Sequence, residues 1–438
     1  MYDITKEHAL ERGILVGLAL PGISLGEAQD TLDELGLLAD TAGVDVAVQV
    51  LQERGRRDPA YLIGRGKAEE LVKQVAEHHA QVVIFDEDLS PAQTRNLETL
   101  LEVKIIDRSR LILDIFASRA KTREAQTQVE LAQLIYMLPR LTRQWTHLSR
   151  QAGGTGGTGG VGTRGPGETQ LEVDRRATNR RITVLKQALD RIARQRAVAR
   201  KQRTDIFRAA LVGYTNAGKS TLMRALSGAD VLIEDRLFAT LDSTTRRVSL
   251  GYNRDILLSD TVGFIKKLPH HLIASFHSTL EEAIEADLLL HVVDVSHPAC
   301  EEHIATVIEV LGELDVADRP TMMVFNKNDL LDDRARRKYL KATYPDAVWL
   351  SAETGDGLED LRLAIYNHLE GDRLTLVVQI PQREGKLLSE LYRIGEVLHT
   401  DYKGNDVLME VKLSQHNARR LLPNGRYQNQ QVSPPLSG

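Results

Sequence analysis

The feature that most constrains this chain is a glycine-rich loop set between an apolar run and a helical segment. Residues 213–220 read Gly-Tyr-Thr-Asn-Ala-Gly-Lys-Ser, after the apolar run 207–212 and before a predicted helix at 221–226. Glycines in such a strand–loop–helix unit let backbone N–H groups turn towards phosphates. The pattern predicts an α/β domain with a phosphate-binding loop of these residues: Gly213, Tyr214, Thr215, Asn216, Ala217, Gly218, Lys219, Ser220 and Thr221.

Two side chains of this loop have specific expected roles. The ammonium of Lys219 is placed to reach the β- and γ-phosphates, and the hydroxyl of Ser220 to ligate Mg²⁺. A second loop, Asp260-Thr261-Val262-Gly263, follows a predicted strand at 255–259. At that position Asp260 can hold Mg²⁺ through water, and the N–H of Gly263 can contact a γ-phosphate.

A third motif predicts which base is bound. Asn326-Lys327-Asn328-Asp329 follows the apolar run 321–325. The Asp329 carboxylate can accept from N1–H and the 2-amino group of guanine, which adenine does not present, so the site favours GTP and GDP. Asn326 and Lys327 should brace the base, and Ser351-Ala352 can place a backbone N–H on the guanine carbonyl.

The loop between the first two motifs predicts a switch. It reads Phe238-Ala239-Thr240-Leu241-Asp242, and a hydroxyl here would complete the Mg²⁺ sphere when a γ-phosphate is present. We expect Thr240 to supply it, with Thr244 and Thr245 as alternatives. The predicted catalytic residues are therefore Lys219, Thr240 and Gly263, with Ser220 and Thr240 as metal ligands.

Hydrolysis by the chain alone should be slow. Phe264 follows Gly263, and a phenyl ring cannot orient the attacking water by hydrogen bonding. We expect an external charge-stabilising group to lower the barrier, an effect worth on the order of 10³–10⁵ in rate.

With 438 residues, the chain is too long for one core. We predict an N-terminal βα domain at 1–110, a helical hairpin at 111–205, a doubly wound GTPase domain at 206–370 and a small α+β domain at 371–438. Predicted helices include 91–101 in the first domain and 415–422 in the last, and the last dozen residues should be frayed. The hairpin is expected from leucine-rich seams at 131–148 and 182–192, with Pro139 kinking or interrupting the first. Its connecting loop, 153–167, has nine glycines in fifteen positions and should be mobile.

The charge of the hairpin points to a polyanionic partner. The net charge is −5, yet residues 175–203 carry eleven Lys or Arg (175, 176, 180, 181, 186, 191, 194, 196, 200, 201 and 203) against one acid, Asp190. A basic arm on an acidic body suits folded RNA, with contacts chiefly to phosphates. The alternative is a solvated coiled-coil face.

Other features bear on compartment and cofactors. No apolar run reaches the roughly 20 residues that a membrane span needs, and the polar N-terminus is unlike a signal peptide. Cys300 is the single cysteine, which excludes an internal disulfide. We expect a cytoplasmic monomer without a DNA partner or a transmembrane segment. Residues 64–67, Gly-Arg-Gly-Lys, are interpreted as a helix-entry turn rather than a phosphate site.

These motifs together resemble the HflX family, within the Obg–HflX group of GTPases. The resemblance is carried by residues 164–172, the phosphate loop, residues 238–242 and residues 260–265. It implies GTP hydrolysis, binding to the large ribosomal subunit and its RNA, and separation or rescue of ribosomes under stress. It also implies Mg²⁺ ligation by Ser220 and Thr240, and an apolar residue at Phe264 is usual in the family.

Further hypotheses remain open at this stage. Asn216 stands where some members of this GTPase class coordinate K⁺, and the resemblance leaves room for ATP in the N-terminal domain. The chain could instead assemble the large subunit, or be an RNA-binding module that GTP licenses and in which hydrolysis is incidental.

Overall fold

The computed structural model describes residues 11–144, 166–201, 206–228, 237–238, 240–251, 254–267, 269, 281–314, 316, 318–371, 373–414, 418, 421–422 and 428–431. They form a parallel α/β sheet, a helical hairpin, a second α/β sheet and a small antiparallel sheet, which confirms the predicted fold class. None of the described helices is long and apolar enough to cross a bilayer.

The N-terminal sheet is parallel, with strand order β2-β1-β3-β4. Its elements are β1 (Glu11–Ala19), α1 (Leu25–Thr41), β2 (Val44–Glu53), α2 (Arg65–His78), β3 (Val82–Phe85), α3 (Pro91–Leu101), β4 (Lys104–Asp107) and α4 (Arg108–Arg119). Leu15 packs with α1 and α4, whereas Ile14 and Val16 pack with α2 and α3. Both faces of the sheet are therefore buried, as all-parallel sheets require. Helix α4 continues past the boundary that we predicted at residue 110.

Local signals in the sequence start these helices. Ser24 and Ser90 each form a capping box, with Glu27 and Gln93 respectively, and Pro91 occupies the first turn of α3. Gly64 is the N-cap of α2, so residues 64–67 are the helix-entry turn that the sequence indicated.

The predicted helical hairpin is confirmed by α5 (Arg123–Gln144) packing along α6 (Pro166–Lys201). Leu131 of the first seam and Leu185 of the second are buried. Most of the glycine-rich segment predicted as a mobile loop, residues 153–165, lies outside the described residues. Its last two residues, Pro166 and Gly167, instead begin α6, because proline is preorganised for the first helical turn.

Pro139 was expected to kink or interrupt the helix; it lies inside α5, so the predicted interruption is wrong. A proline in a helix interior removes one backbone hydrogen bond. The neighbouring Arg140 donates to the backbone oxygens of Tyr136 (3.0 Å) and Leu89 (2.9 Å) and to the carboxylate of Asp107 (2.8 Å). The bonds to Leu89 and Asp107 hold this part of α5 against the N-terminal domain and offset the lost bond.

The GTPase domain has a six-stranded sheet of order β10-β9-β8-β5-β7-β6, in which β6 alone is antiparallel to its neighbour. Its elements are β5 (Arg208–Gly213), α7 (Lys219–Ser227), β6 (Thr244–Gly251), β7 (Arg254–Asp260), α8 (Glu281–Ile284), β8 (Leu288–Asp294), α9 (Cys300–Glu313), β9 (Thr321–Asn326), a 3₁₀ turn (Asn328–Leu330), α10 (Arg334–Thr343), β10 (Val348–Trp349) and α11 (Leu358–Gly371). The carboxyl ends of the parallel strands meet at one edge, where ligands bind in such sheets.

The C-terminal domain is an antiparallel sheet of order β12-β13-β11-β14 with a core of its own. Its elements are β11 (Arg373–Pro381), α12 (Gly385–Ile394), β12 (Glu396–Lys403), β13 (Asp406–Ser414) and β14 (Gln428–Gln431). The expectation of a frayed last dozen residues is wrong for β14, because its backbone pairs with β11 from Leu376 to Gln379. The predicted helix at 415–422 lies mostly outside the described residues.

One hydrophobic cluster crosses three of these regions, and we call it the interdomain cluster. Its buried members include Phe116 of α4, Val129 of α5, and Phe238, Leu241 and Phe264 of the GTPase domain. The rings of Phe116 and Phe238 meet edge to face, with centroids 4.7 Å apart. The loops of the GTPase domain are therefore packed directly against the N-terminal domain and the hairpin.

Candidate nucleotide site

The phosphate loop needs glycine at two positions. Gly213 has a φ of +153°, and a Cβ there would lie 2.3 Å from the backbone oxygen of Val292. Gly218, the N-cap of α7, has a φ of +88°, and a Cβ would lie 2.2 Å from Nδ2 of Asn326. Any larger residue would collide with its neighbours, so the glycines let the backbone fold tightly around the start of α7.

Lys219 is buried at the start of α7. Its Nζ donates to the backbone oxygens of Gly213 (3.1 Å) and Tyr214 (2.8 Å). Burial lowers the pKa of Lys219 to about 8, while the charge of Asp260 acts in the opposite direction. The ammonium is thus held inside the loop at the N-terminus of a helix, where anionic groups are favoured.

Three oxygen-bearing side chains converge beside Lys219. The hydroxyl of Ser220 donates to Oδ2 of Asp260 at 2.6 Å and lies 2.8 Å from the hydroxyl of Thr240. Thr240 also donates to Oδ2 of Asp260, at 3.2 Å. The two alternatives lie in β6, where Thr245 pairs with the hydroxyl of Ser259 instead.

This cluster fits a magnesium ion. Oδ1 of Asp260 is buried and has no hydrogen-bond partner among the described residues. Burial also raises the pKa of the Asp260 carboxyl, against the opposing charge of Lys219. A buried carboxylate with one free oxygen, next to two hydroxyls, is a hard oxygen donor set of the kind that Mg²⁺ prefers.

Asn326 joins the phosphate loop to the predicted base-binding loops. Its Nδ2 donates to the backbone oxygen of Ala217, and its Oδ1 accepts from the backbone N–H of Ala352, both at 2.9 Å. Lys327 forms an ion pair with Asp294 at 2.8 Å. Asp329 stands in the 3₁₀ turn with an exposed side chain, where it can meet the edge of a base.

A cavity of about 390 Å³ links these loops. Its lining includes fifteen residues expected from the sequence: Thr215, Asn216, Gly218, Lys219, Ser220, Thr221, Phe238, Thr240, Thr261, Gly263, Asn326, Lys327, Asp329, Ser351 and Ala352. Two lining residues were missed, Leu330 and Glu353. Both directly follow predicted motifs, but neither residue type by itself indicates a nucleotide.

Other expected contacts do not line the cavity. Four of these residues form hydrogen bonds with the residues around the cavity, through the backbone or a side chain: Gly213, Ala217, Asp260 and Asn328. Two others, Leu241 and Val262, belong to the interdomain cluster. The Asp242 carboxylate turns to the start of α5, where Thr122 donates to it. Ala239 lies outside the described residues.

The side chain of Tyr214 also faces away from the cavity. Its hydroxyl donates to Glu34 of α1 and accepts from the backbone N–H of Lys266, at 2.8 Å for the latter. Glu34 pairs in turn with the buried Arg108, which also holds Asp86 at 2.7 Å. The phosphate loop and the segment after Gly263 are therefore tied to the N-terminal domain through buried charges.

Known protein families match this chain over the same regions that the structure shows. Three family models match in sequence order: the GTP-binding GTPase N-terminal region at residues 29–117, its middle region at 119–203, and the 50S ribosome-binding GTPase at 208–327. The GTPase HflX of Escherichia coli strain K12 is 44% identical over 426 residues, which cover 96% of this chain and 97% of that protein. The chain belongs to the HflX family.

The HflX family assignment makes this chain a GTPase. The GTPase HflX of Flavobacterium psychrophilum is also 44% identical, over 83% of this chain and 92% of that protein. Among solved structures, a GTP-binding protein from Sulfolobus solfataricus in complex with GDP aligns with a TM-score of 0.43 and 25% identity, over 82% of this chain and 98% of that one.

Proposed function

We propose that this chain is a Mg²⁺-dependent GTPase that binds the large ribosomal subunit through the α5–α6 hairpin and separates or rescues ribosomes under stress. The observation that carries the proposal is the exposed basic face of α6, joined to a GTPase domain of the 50S ribosome-binding class.

The basic face of α6 supports an RNA partner. Arg181 forms a two-point ion pair with Glu130 of α5, at 2.6 and 2.7 Å, so its charge is used within the hairpin. The other described basic side chains of α6 are exposed: Arg175, Arg176, Arg180, Lys186, Arg191 and Arg194. A row of exposed cations on a long helix suits the phosphates of folded RNA, whose binding releases counterions.

The residues of the cavity have the following roles in this proposal. The N–H groups of the phosphate loop and Lys219 hold the β- and γ-phosphates, and Asp329 holds the guanine edge. Ser220 and Thr240, with Asp260 behind them, would hold Mg²⁺, which when bound supplies positive charge to the phosphate oxygens. The N–H of Gly263 is placed to contact the γ-phosphate, so that loss of this phosphate releases both switch loops.

Phe264 supports slow hydrolysis in the absence of a partner. Its ring is buried in the interdomain cluster, and its backbone bonds to the phosphate loop through Gly213 and Thr215. A ring held in the core cannot orient a water molecule at the γ-phosphate. An activating group would then come from the bound subunit.

Sedimentation of intact ribosomes tests the function. We expect separated subunits when ribosomes are incubated with this protein and GTP or a non-hydrolysable analogue, and intact ribosomes with GDP. Binding to the large subunit without separation would favour assembly of that subunit. Hydrolysis that large subunits do not accelerate would favour an RNA-binding module in which hydrolysis is incidental.

Salt dependence tests the hairpin surface separately. Replacing Arg180, Arg191 and Arg194 with Gln should flatten the plot of log affinity for large subunits against log salt by about two units of slope, since each lost phosphate contact contributes about 0.7–0.9. The matched control is the double variant Arg334→Gln with Lys338→Gln, an exposed basic pair on α10. An unchanged slope in the hairpin variant would refute RNA binding by this face.

A further inference from the structure

The carboxylate of Asp242 holds the two residues that precede α5. Its Oδ2 accepts from the backbone N–H groups of Lys121 (3.0 Å) and Thr122 (3.2 Å), and its Oδ1 accepts from the hydroxyl of Thr122 at 2.5 Å. The oxygen of that hydroxyl accepts from the backbone N–H of Ala125 at 3.1 Å, as an N-cap does. A residue of the switch loop thus completes the cap of a helix in the hairpin.

Packing reinforces this contact on the apolar side. Leu241, the residue before Asp242, is 1% exposed and lies in the interdomain cluster with Ala125 and Val129 of α5. On the other side of Thr240, the ring of Phe238 is held against Phe116. The segment that carries Thr240 is therefore fixed at both ends by residues outside the GTPase domain.

Asp242 is so close to Thr240 along the chain that a movement of α5 must also move Thr240. Asp242 is two residues from Thr240, a span of at most about 7 Å even when fully extended. The hydroxyl of Thr240 must stay beside Ser220 and Asp260 to act on the metal. Helix α5 has 22 residues and is about 33 Å long, so a tilt imposed at its far end reaches this segment through its first turn.

We propose that Asp242 is a positioning residue for GTP hydrolysis, which sets the place of Thr240 by binding Lys121 and Thr122, the two residues just before α5. Displacement of the hairpin then changes the rate of hydrolysis without any new contact to the nucleotide. This coupling goes beyond the proposed function, because it holds for the isolated chain and needs no ribosomal partner.

Replacement of the hydroxyl in this contact tests the coupling. Thr122→Val keeps the shape of the side chain but removes the donor to Asp242, and Asp242→Asn removes the charge that accepts three bonds. Thr122→Ser restores the donor. Thr127→Val is the matched control, because the hydroxyl of Thr127 lies in the next turn of α5 and donates within the helix, to the backbone oxygen of Arg123.

The measurements are single-turnover GTP hydrolysis with saturating Mg²⁺ and the affinity for GDP. We expect Thr122→Val and Asp242→Asn to lower the rate about tenfold, with GDP affinity close to that of the parent, because neither side chain lines the cavity. Thr122→Val should also lower the melting temperature, because loss of the N-cap hydroxyl costs about 0.5–2 kcal/mol, and Thr122→Ser should restore it. Thr122→Ser should recover most of the rate, and Thr127→Val should retain it.

Two results would overturn the proposal. One is a rate for Thr122→Val equal to that of Thr127→Val, which would show that the contact does not position Thr240. The other is a parallel loss of hydrolysis, GDP affinity and melting temperature in Thr122→Val without rescue by Thr122→Ser, which would show a general loss of structure. Neither result would contradict ribosome binding through α6, so the two proposals fail independently.

Discussion

Replacement of Asn326 by Ala should weaken nucleotide binding far more than it weakens the fold. The Asn326 side chain is 1% exposed and makes one hydrogen bond to Ala217 and one to Ala352, each of 2.9 Å. Without it, a backbone carbonyl and a backbone N–H are left unpaired in a buried place. Each unpaired group costs about 1–3 kcal/mol, so the closed site loses about 2–6 kcal/mol.

This loss should fall mainly on the complex. Without nucleotide, the two loops can separate and pair with water, whereas a bound nucleotide holds them together. At about 1.4 kcal/mol per tenfold, the dissociation constants for GDP and GTP should rise roughly 30- to 20,000-fold.

Calorimetric titration with GDP and GTP measures this effect, and the melting temperature without nucleotide reports on the fold. Asn96→Ala is the matched control, because Nδ2 of Asn96 also donates to a backbone carbonyl, that of Ala60 at 3.0 Å, but in the N-terminal domain. Affinity of the Asn326 variant within threefold of the parent would refute the bracing role.

Four further outcomes are expected. Asp329→Asn should lower the affinity for GTP at least 100-fold and raise the affinity for xanthosine triphosphate, because the 2-carbonyl of xanthine can accept from the new amide. Equal losses of affinity for both nucleotides in a titration would contradict this. Arg108→Met should destabilise the chain by about 3–5 kcal/mol, because Glu34 loses its cationic partner and the buried Asp86 keeps only Lys267, whereas Arg12→Met, at an exposed pair, should cost about 0–1 kcal/mol in denaturant unfolding. Burial lowers the pKa of His303 to about 4 in the folded chain, so its contribution to stability is present above pH 6.5 and is lost as pH falls towards 4. His303→Phe should therefore reduce the loss of unfolding free energy between pH 7 and pH 5, by an amount on the order of 1 kcal/mol in denaturant unfolding. If Asn216 coordinates K⁺, turnover should be faster in KCl than in NaCl, and equal turnover would exclude that role.

The sequence was most informative where local chemistry decides the structure. The helix at 91–101 was predicted to the residue, because Ser90, Pro91 and Gln93 form a complete start signal. Likewise, the spacing of the nucleotide motifs followed from where parallel strands end, so most predicted contacts line one cavity. The roles of these residues in binding and catalysis stay predictions.

What the sequence could not supply were pairings between distant segments. Nothing near Asp242 indicates that its partner is Thr122, and nothing near Tyr214 indicates Glu34. Helix α5 continues through Pro139 because Arg140 is bonded to the N-terminal domain, and β14 is ordered because β11 has a free edge for it. Each depends on tertiary contacts that override local preference.

The interdomain cluster has a consequence for how chains of this kind diversify. Rings of the GTPase domain such as Phe238 and Phe264 are covered by side chains from residues 11–144, Phe116 and Val129 among them. A recombination event that joined this GTPase domain to an unrelated partner would leave that apolar surface facing water. The N-terminal domain, the hairpin and the GTPase domain should therefore be inherited together, whereas the C-terminal domain, with its separate core, is free to be lost or exchanged.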